Sequence, residues 1–241
     1  MRVAVLSDLH GNLTAFQAVI ADLRNVLPDL VIHGGDLADT GSGGAEIVDQ
    51  IRDFGWPGVK GNTDEMLVRP QSLVDFSAQS SAPASLWDAV RELAAFARDA
   101  LGDARLDWLR GLPLTLQRSE IGVVHATPES AWRVLPETAR DAELQSIYGL
   151  LGVPIVVFGH THRAGIRVLN GQPQVLINAG SVGLLYDGDP RASYALIDNG
   201  RPEICRVAYD VEREIRAISS RGVPGADWIA RMLRTSAPQL P

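Results

Sequence analysis

Short apolar runs alternate with amphipathic segments through the first quarter of the chain. Residues 3–6, with the sequence Val-Ala-Val-Leu, are typical of a buried strand. Apolar side chains then recur at helical spacing, which predicts a helix over residues 12–26. The alternation continues with a predicted strand, helix and strand at residues 30–33, 45–54 and 57–60. Repeated strand–helix–strand units favour parallel strands whose carboxyl ends meet at one edge of a sheet.

The pattern changes in the middle of the chain and again in its second half. Residues 71–110 are rich in Ala, Leu and Arg, with apolar residues at helical spacing, and predict a helical insert beside the sheet. The aromatic side chains of this insert are expected to belong to the core rather than to a binding surface. The second half predicts a helix at residues 141–151 and strands at residues 121–124, 155–158, 165–169, 174–178, 193–198 and 203–209. With helices predicted from residue 211 onward, residues 1–241 are interpreted as a single domain of the α/β class.

Composition and charge narrow the classes of function. The chain has 241 residues, of which 46% are hydrophobic and 21% charged, as expected of a globular protein with a large core. A formal net charge of −7 argues against a protein that binds nucleic-acid duplexes or membrane surfaces, because either would need a basic face. The single cysteine, Cys205, excludes an internal disulfide, and neither a signal peptide nor a membrane-spanning run is visible, so we expect a cytoplasmic protein.

Polar side chains follow the predicted strands at the points where those strands end. They are Asp8, His10, Asp36, Asn62, His125, His160 and His162. Carboxylate, carboxamide and imidazole ligands together suit Mn, Fe, Zn or Ni, whereas a Ca or Mg site would be nearly all oxygen. Seven ligands are too many for one tetrahedral ion and fit two ions that share a bridging carboxylate. For the first two residues taken alone, the alternative is a polar turn in which Asp8 caps a helix.

The order and spacing of these residues resemble those of the calcineurin-like metallophosphoesterase superfamily. The matching motifs are Asp8-x-His10-Gly11-Asn12, Gly35-Asp36, Gly61-Asn62-x-Asp64, His125 and Gly159-His160-x-His162. Two later segments, residues 178–183 and 187–194, resemble the small prokaryotic phosphodiesterase branch of that superfamily. The resemblance extends over nearly the whole chain. It implies a four-layer α/β/β/α sandwich of two mixed sheets with a two-metal site at the strand ends.

The resemblance also implies roles for the individual residues. One ion would be held by Asp8, His10 and His162 and the other by Asn62, His125 and His160, with Asp36 as the bridge. Mn²⁺ is the expected metal, with Fe, Zn or Ni as alternatives. The implied reaction is in-line attack on phosphorus by a metal-bound, bridging hydroxide. The residues expected to act in catalysis, through the metals and the phosphate, are Asp8, His10, Asp36, Asn62 and His125.

One position departs from the usual pattern of the superfamily. Thr63 stands where many members have a histidine that can donate a proton to the leaving group. A threonine hydroxyl cannot supply a proton near neutral pH, and general acid catalysis contributes about 10²–10⁴-fold. We therefore expect either better activity on esters with good leaving groups or another proton donor. The next residue, Asp64, is interpreted either as a side chain that orients His10 or as a helix N-cap.

Substrate contacts are less well marked in the sequence. Tyr186, Arg191 and Ser181 are candidates near the site, and an arginine can bind a phosphate through two hydrogen bonds. The alternative for Arg191 is an ion pair with Asp187 or Asp189 in a structural turn.

These observations favour a two-metal phosphoric ester hydrolase, above all a phosphodiesterase acting on small phosphate esters. A phosphomonoesterase and a dinucleoside polyphosphate hydrolase are alternatives of the same class. Few aromatic residues lie outside the insert, which favours small substrates that are not nucleotides. The alternative of a different class is a non-catalytic scaffold on the same fold, disfavoured because all seven ligand positions keep metal-competent side chains. Candidates for a homodimer interface are Trp132, Leu135 and the C-terminal helices.

Overall fold

The strands form two mixed sheets in a computed structural model that describes residues 1–133, 135–171 and 174–241. In chain order they are β1 (Arg2–Leu6), β2 (Leu30–His33), β3 (Thr115–Arg118), β4 (Ile121–Val124), β5 (Ile155–Phe158), β6 (Gly165–Val168), β7 (Val175–Asn178), β8 (Ala192–Asp198) and β9 (Arg201–Val207). The first sheet has the order β2-β1-β8-β9 and the second the order β3-β4-β5-β7-β6. The pairs β1 with β2, β4 with β5 and β5 with β7 are parallel, and the other neighbouring pairs are antiparallel. The predicted α/β class with two mixed sheets is confirmed.

Helices cover the outer faces of both sheets. They are α1 (Leu13–Val26), α2 (Gly44–Asp53), α3 (Asn62–Val68), α4 (Gln71–Ser77), α5 (Ala84–Arg110), α6 (Asp141–Tyr148), α7 (Val211–Ser220) and α8 (Ala226–Thr235). Side chains of β1 alternate between two faces, so that Ala4 and Leu6 pack in the apolar cluster under α1 and α2. Val3 and Val5 point the other way and pack between the two sheets. Because α6 covers the outer face of the second sheet, the whole is the four-layer sandwich that the resemblance implies.

One predicted strand is mostly loop. The strand expected at residues 57–60 is reduced to a single parallel bridge between Gly58 and His33. Pro57 has no N–H to donate, and helix α3 already begins at Asn62, so the extended segment is too short for a ladder. The polar end of this segment nevertheless arrives beside the end of β2, because the bridge still aligns the two chains.

The helices of residues 71–110 and the C-terminal helices pack together beside the first sheet. Helix α5 contacts α2 and α3, and Gly102, whose φ of 67° is not helical, divides it. Helices α7 and α8 contact each other and form an apolar cluster with Leu93 of α5. Among the described residues, no helix has the length and apolar character needed to span a bilayer.

A buried carboxylate attaches α7 to the rest of the protein. Glu214 is 0% exposed. Its oxygens accept hydrogen bonds from the N–H and hydroxyl of Thr14, at 3.1 and 2.6 Å, and from the N–H of Ser42, at 2.9 Å. Thr14 lies in the first turn of α1, and Ser42 lies in the loop before α2. Glu214 therefore fixes the C-terminal helices against the loops at the carboxyl edge of the first sheet.

Candidate metal centre

Five of the seven side chains predicted as ligands belong to residues with positive φ. These are Asp8 (56°), His10 (46°), Asp36 (56°), His160 (67°) and His162 (58°). Residues other than glycine seldom adopt this left-handed conformation, and each instance costs about 1–3 kcal/mol. Backbone hydrogen bonds from Asp8 N to Gly35 O and from His10 N to Asp36 O, at 3.0 and 2.9 Å, hold two of the loops together. Backbone strain is thus concentrated at the edge where the strands end.

Four buried side chains converge near the ends of β1, β2 and β5. One ligand atom from each of Asp8, His10, Asp36 and His162 lies within 4.8 Å of the other three. His162 Nε2 is 3.0 Å from His10 Nε2 and 3.2 Å from Asp8 Oδ1. His10 Nε2 is also 3.7 Å from Asp36 Oδ2. Two carboxylates and two imidazoles therefore surround one point.

A second group lies on the other side of Asp36. Asn62 Oδ1 is 2.9 Å from His125 Nε2 and 2.8 Å from His160 Nδ1. His125 Nε2 is in turn 3.4 Å from Asp36 Oδ2, the same oxygen that faces His10. The structure thus brings all seven predicted side chains together, in two groups with Asp36 Oδ2 between them.

Hydrogen bonds of two histidines determine which ring nitrogen faces the cluster. His10 Nδ1 donates to Asp39 Oδ1 at 2.8 Å, and His125 Nδ1 donates to the Gly34 carbonyl, also at 2.8 Å. In the neutral form of each ring, Nε2 then carries a lone pair and faces oxygen or nitrogen atoms that are also acceptors. Lone pairs that face one another are stabilised by a cation bound between them. Burial lowers the pKa of His125, but the Asp36 and Asp8 carboxylates and the Gly34 carbonyl together raise that pKa to about 10. The negative potential and the mixed donors fit divalent transition-metal ions.

Two glycines allow the backbone to approach the carboxylates closely. A Cβ atom at Gly61 would overlap Asp36 Oδ1, and a Cβ atom at Gly159 would overlap Asp8 Oδ2. In the space that Gly61 leaves, Asp36 Oδ1 accepts a hydrogen bond from the Thr63 N–H at 2.8 Å. Both carboxylates are therefore held flat against the main chain, which limits the directions in which they can point.

Sequence similarity assigns the fold and this cluster to a family. Residues 1–201, which include all seven clustered side chains, match the calcineurin-like phosphoesterase superfamily domain. The chain belongs to this superfamily. It is therefore a metallophosphoesterase, as the order and spacing of its motifs predict.

Proteins of similar length match this metallophosphoesterase over nearly its whole chain. The uncharacterized protein MJ0912 of Methanocaldococcus jannaschii is 29% identical over 253 residues, which cover 96% of each chain. The crystal structure of a metallophosphoesterase from Sphaerobacter thermophilus has a TM-score of 0.77 at 25% identity and covers 98% of this chain and 100% of that one. Hypothetical protein PH1004 from Pyrococcus horikoshii OT3 shares the fold, with a TM-score of 0.82 at 16% identity and 99% of each chain covered. The C-terminal helices, which lie beyond residue 201, are thus included in the structural likeness.

In the described part of this metallophosphoesterase, Asp64 neither contacts His10 by a hydrogen bond nor is itself the N-cap of a helix. Its carboxylate makes no hydrogen bond to His10 among the described residues, and it accepts hydrogen bonds of 2.8, 2.9 and 2.9 Å from the N–H groups of Asp36, Leu37 and Gly61. The N-cap of α3 is Gly61, and Asp64 is the third residue of that helix, so its side chain reaches back to the Gly61 N–H and to the N–H groups of the loop after β2. Burial, followed by the charge of Asp36, raises the pKa of Asp64 to about 6.

Asp39 orients His10 and is a site residue that sequence reasoning missed. One of its oxygens accepts the hydrogen bond from His10 Nδ1, and the other accepts one from the Thr40 hydroxyl at 2.8 Å. Burial lowers the pKa of His10, but the carboxylates of Asp39, Asp36 and Asp8 together raise that pKa to about 9. Asp39 stands in an irregular loop with no periodic pattern. Its place three residues after the Gly35-Asp36 motif is the signal that points to it.

Two of the remaining candidates, Tyr186 and Thr63, lie against the cluster. The Tyr186 ring stacks on the His162 ring, with centroids 4.5 Å apart and an interplanar angle of 18°. Thr63 is buried, and its hydroxyl has no hydrogen-bond partner among the described residues. Both side chains line the cavity that opens onto the cluster.

Arg191 and Ser181 are not brought to the cluster as substrate contacts. The exposed Arg191 guanidinium pairs with Asp189 at 2.7 Å, as in the alternative of a structural turn. Ser181 is 0% exposed, and its hydroxyl donates to the Asp8 carbonyl at 2.7 Å. Ser181 therefore stabilises the main chain at Asp8, one of the clustered residues.

Proposed function

We propose that this protein is a phosphodiesterase that uses two divalent transition-metal ions, with Mn²⁺ as the expected metal. The observation that carries the proposal is the position of Asp36 Oδ2, 3.7 Å from His10 Nε2 and 3.4 Å from His125 Nε2. A bridging ligand in a two-metal hydrolytic site has to stand between two donor groups in this way. One ion would be held by Asp8, His10 and His162 and the other by Asn62, His125 and His160, with Asp36 shared.

The side chains around the ions hold the ligands in one orientation. When bound, the two ions would neutralise the phosphoryl oxygens and supply an activated water for attack on phosphorus. Asp39 keeps the proton of His10 on Nδ1, and the Gly34 carbonyl does the same for His125, so both Nε2 atoms stay free to bind. The Thr63 N–H holds Asp36 through Oδ1 and leaves Oδ2 for the ions. Ligands fixed in this way need little reorganisation during the reaction.

The leaving group receives no proton from the position of Thr63. The buried threonine hydroxyl lies beside the cluster, but its proton is too weakly acidic to transfer near neutral pH. Esters whose leaving groups depart as stable anions are therefore the preferred substrates.

The test compares two esters with the same leaving group. Chelator-treated protein is assayed on bis-p-nitrophenyl phosphate, on p-nitrophenyl phosphate and, as a third substrate, on a dinucleoside polyphosphate, before and after addition of Mn²⁺, Zn²⁺, Ni²⁺ or Fe²⁺. We expect turnover that the metal restores, faster on the diester than on the monoester. The reverse preference would indicate a phosphomonoesterase, and turnover of a dinucleoside polyphosphate alone would indicate a hydrolase of that class. Absence of turnover with every metal and all three substrates would favour the scaffold.

A metal count tests the bridging role of Asp36, and a circular dichroism spectrum like that of the wild type shows that the Asp36→Asn variant is folded. Titration calorimetry should find two Mn²⁺ ions per chain in the wild type and loss of both sites in Asp36→Asn. The matched control is Asp189→Asn, which removes a half-buried carboxylate from the ion pair with Arg191, outside the cluster. An Asp36→Asn variant with full activity and two bound ions would contradict the assignment.

A further inference from the structure

A cavity of about 280 Å³ opens onto the candidate metal centre. It contacts two proposed ligands from each group, namely His10, His162, Asn62 and His160. A second cavity, of about 350 Å³, contacts only His160 among the seven proposed ligands. The first cavity is therefore the space beside both groups that a substituent of a bound phosphate ester would enter.

Aromatic side chains from distant parts of the chain line this first cavity, named the aromatic cavity below. They are Phe76, Trp87, Trp132, Tyr186 and Trp228. The Phe76 ring centre lies 4.8 Å from that of Trp132 and 5.8 Å from that of Trp87. Phe76 and Trp87 belong to the helical insert, where the sequence predicts core aromatics, yet both are half-buried and face the cavity. The insert thus contributes to the surroundings of the metal centre.

Polar contacts hold several of these rings in place. Trp132 Nε1 donates to Glu65 Oε2 at 2.7 Å, and the Tyr186 hydroxyl lies 3.6 Å from Met232 Sδ. Met232 is on α8, which Glu214 and the contacts with α7 attach to the rest of the protein. Rings fixed before a ligand arrives lose little side-chain entropy when it binds, which favours affinity.

The lining of the aromatic cavity carries almost no charge beyond the metal ligands. None of the described residues that line it is Lys or Arg, and its one carboxylate outside the ligand set, Asp39, is bonded to His10 and Thr40. A further phosphate group in this space would find no cation to pair with. Two buried polar atoms, Trp87 Nε1 and Thr63 Oγ1, have no hydrogen-bond partner among the described residues. Both atoms are closed off from the cavity, so they do not change the apolar character of its lining.

We propose that the aromatic cavity selects phosphate esters with one uncharged aromatic substituent and without a second phosphate. This inference rests on the proposed function and specifies the substrate class of the same site. The size agrees with it, because a cavity of about 150 Å³ is enough for benzene and this one would hold one or two fused rings. The expectation of small substrates that are not nucleotides, based on the scarcity of aromatics outside the insert, stays a prediction, and the nucleoside phosphonate described below tests it. An aryl group and a nucleobase share the required chemistry.

The test measures binding of phosphonates, whose P–C bond is not hydrolysed. Calorimetry on the Mn²⁺-loaded full chain compares methylphosphonate, phenylphosphonate and a nucleoside phosphonate. All three have the same charged group, so differences in Kd report on the substituent. We expect phenylphosphonate to bind at least about 10-fold more tightly than methylphosphonate, from the apolar area that the ring buries. Kd values within about 2-fold of each other would overturn the proposal.

Variants of Phe76 connect the preference to this cavity. Phe76→Ala should reduce the advantage of the ring to about 3-fold or less, since it removes the central ring of the aromatic group. Phe76→Leu, which keeps most of the volume, serves if the alanine variant folds poorly. The matched control is Phe54→Ala, because Phe54 is 47% exposed, packs on Trp56 and does not line the cavity. Equal loss in Phe54→Ala would refute the assignment to the aromatic cavity.

Two further outcomes separate this inference from the proposed function. Hydrolysis of bis-p-nitrophenyl phosphate is measured on the same preparations. Metal-dependent hydrolysis without a ring preference would overturn the inference and leave the phosphodiesterase standing. A ring preference without hydrolysis by any metal form would support the cavity and overturn the phosphodiesterase. If the nucleoside phosphonate binds more tightly than phenylphosphonate, the inference stands and the ring is a base.

Discussion

Replacing Glu214 by alanine would leave three hydrogen-bond donors without their acceptor. The N–H and hydroxyl of Thr14 and the N–H of Ser42 all point at this one carboxylate. Glu214 is 0% exposed and Ser42 is 7% exposed, so water cannot readily replace the lost oxygen at Ser42. Thr14 is half-buried, and water can satisfy part of its need.

The magnitude follows from these contacts. A buried donor that loses its partner costs about 1–3 kcal/mol, so the buried Ser42 N–H and the two partly hydrated donors of Thr14 together cost about 3–5 kcal/mol. We therefore expect Glu214→Ala to lower the free energy of unfolding by about 3–5 kcal/mol. For a chain of this length, that loss lowers Tm by about 6–20 °C. Glu214→Gln keeps the shape and one acceptor oxygen, and should lose about 1–3 kcal/mol.

Urea and thermal unfolding followed by circular dichroism measure these changes. The matched control is Glu212→Ala on the same helix, because the Glu212 side chain is exposed and pairs only with the exposed Arg234 among the described residues. It should unfold close to the wild type, as exposed ion pairs contribute little. If Glu214→Ala and Glu212→Ala unfolded at the same urea concentration, the buried carboxylate would not be what attaches α7.

Three further outcomes concern the metal centre. Asp39→Ala should weaken Mn²⁺ binding by about 10–100-fold in calorimetry, because His10 loses the partner that orients it, and unchanged affinity would contradict that role. Gly61→Ala should weaken Mn²⁺ binding at least as much, since its Cβ displaces Asp36, whereas Gly165→Ala, with open space around its Cβ, should bind as the wild type does. Removal of Mn²⁺ by a chelator should lower Tm, since an ion at 100 times its Kd stabilises the fold by about 2.7 kcal/mol. A Tm that is the same with and without Mn²⁺ would rule out binding to the folded state.

The strand ends of the site were predictable because their pattern is local. A short apolar run followed at once by Asp8 and His10, or by Gly35 and Asp36, places polar side chains at a carboxyl edge whatever the rest of the chain does. The fold class and the grouping of the seven polar residues follow from that rule and from the resemblance. The loss of the third strand reflects Pro57, whose missing N–H weighs more than the extended pattern of its neighbours.

What surrounds the ligands was not predictable from local pattern. Asp39 contacts His10 only because the loop after β2 folds back across the loop after β1. The aromatic cavity unites Phe76, Trp132 and Trp228, which are far apart in sequence and lie on segments without a shared period. Contacts of this kind depend on how helices pack on a sheet, and a single sequence gives no direct signal of that packing.

The candidate metal centre draws its residues from both sheets, Asp8 from the first and His125 from the second. Apolar side chains such as Val5 and Val157 fill the layer between the sheets, and their volume sets how far apart the two halves of the centre stand. A misplacement of about 1 Å at a reacting site can cost about 10²-fold in rate. A substitution in this layer is therefore expected to change the reaction rate as well as the free energy of unfolding. We expect homologues that share all seven ligands to tolerate a swap of the whole apolar layer between them better than the replacement of one residue of the layer at a time. The packing between the sheets would then constrain how the chemistry of the site can evolve.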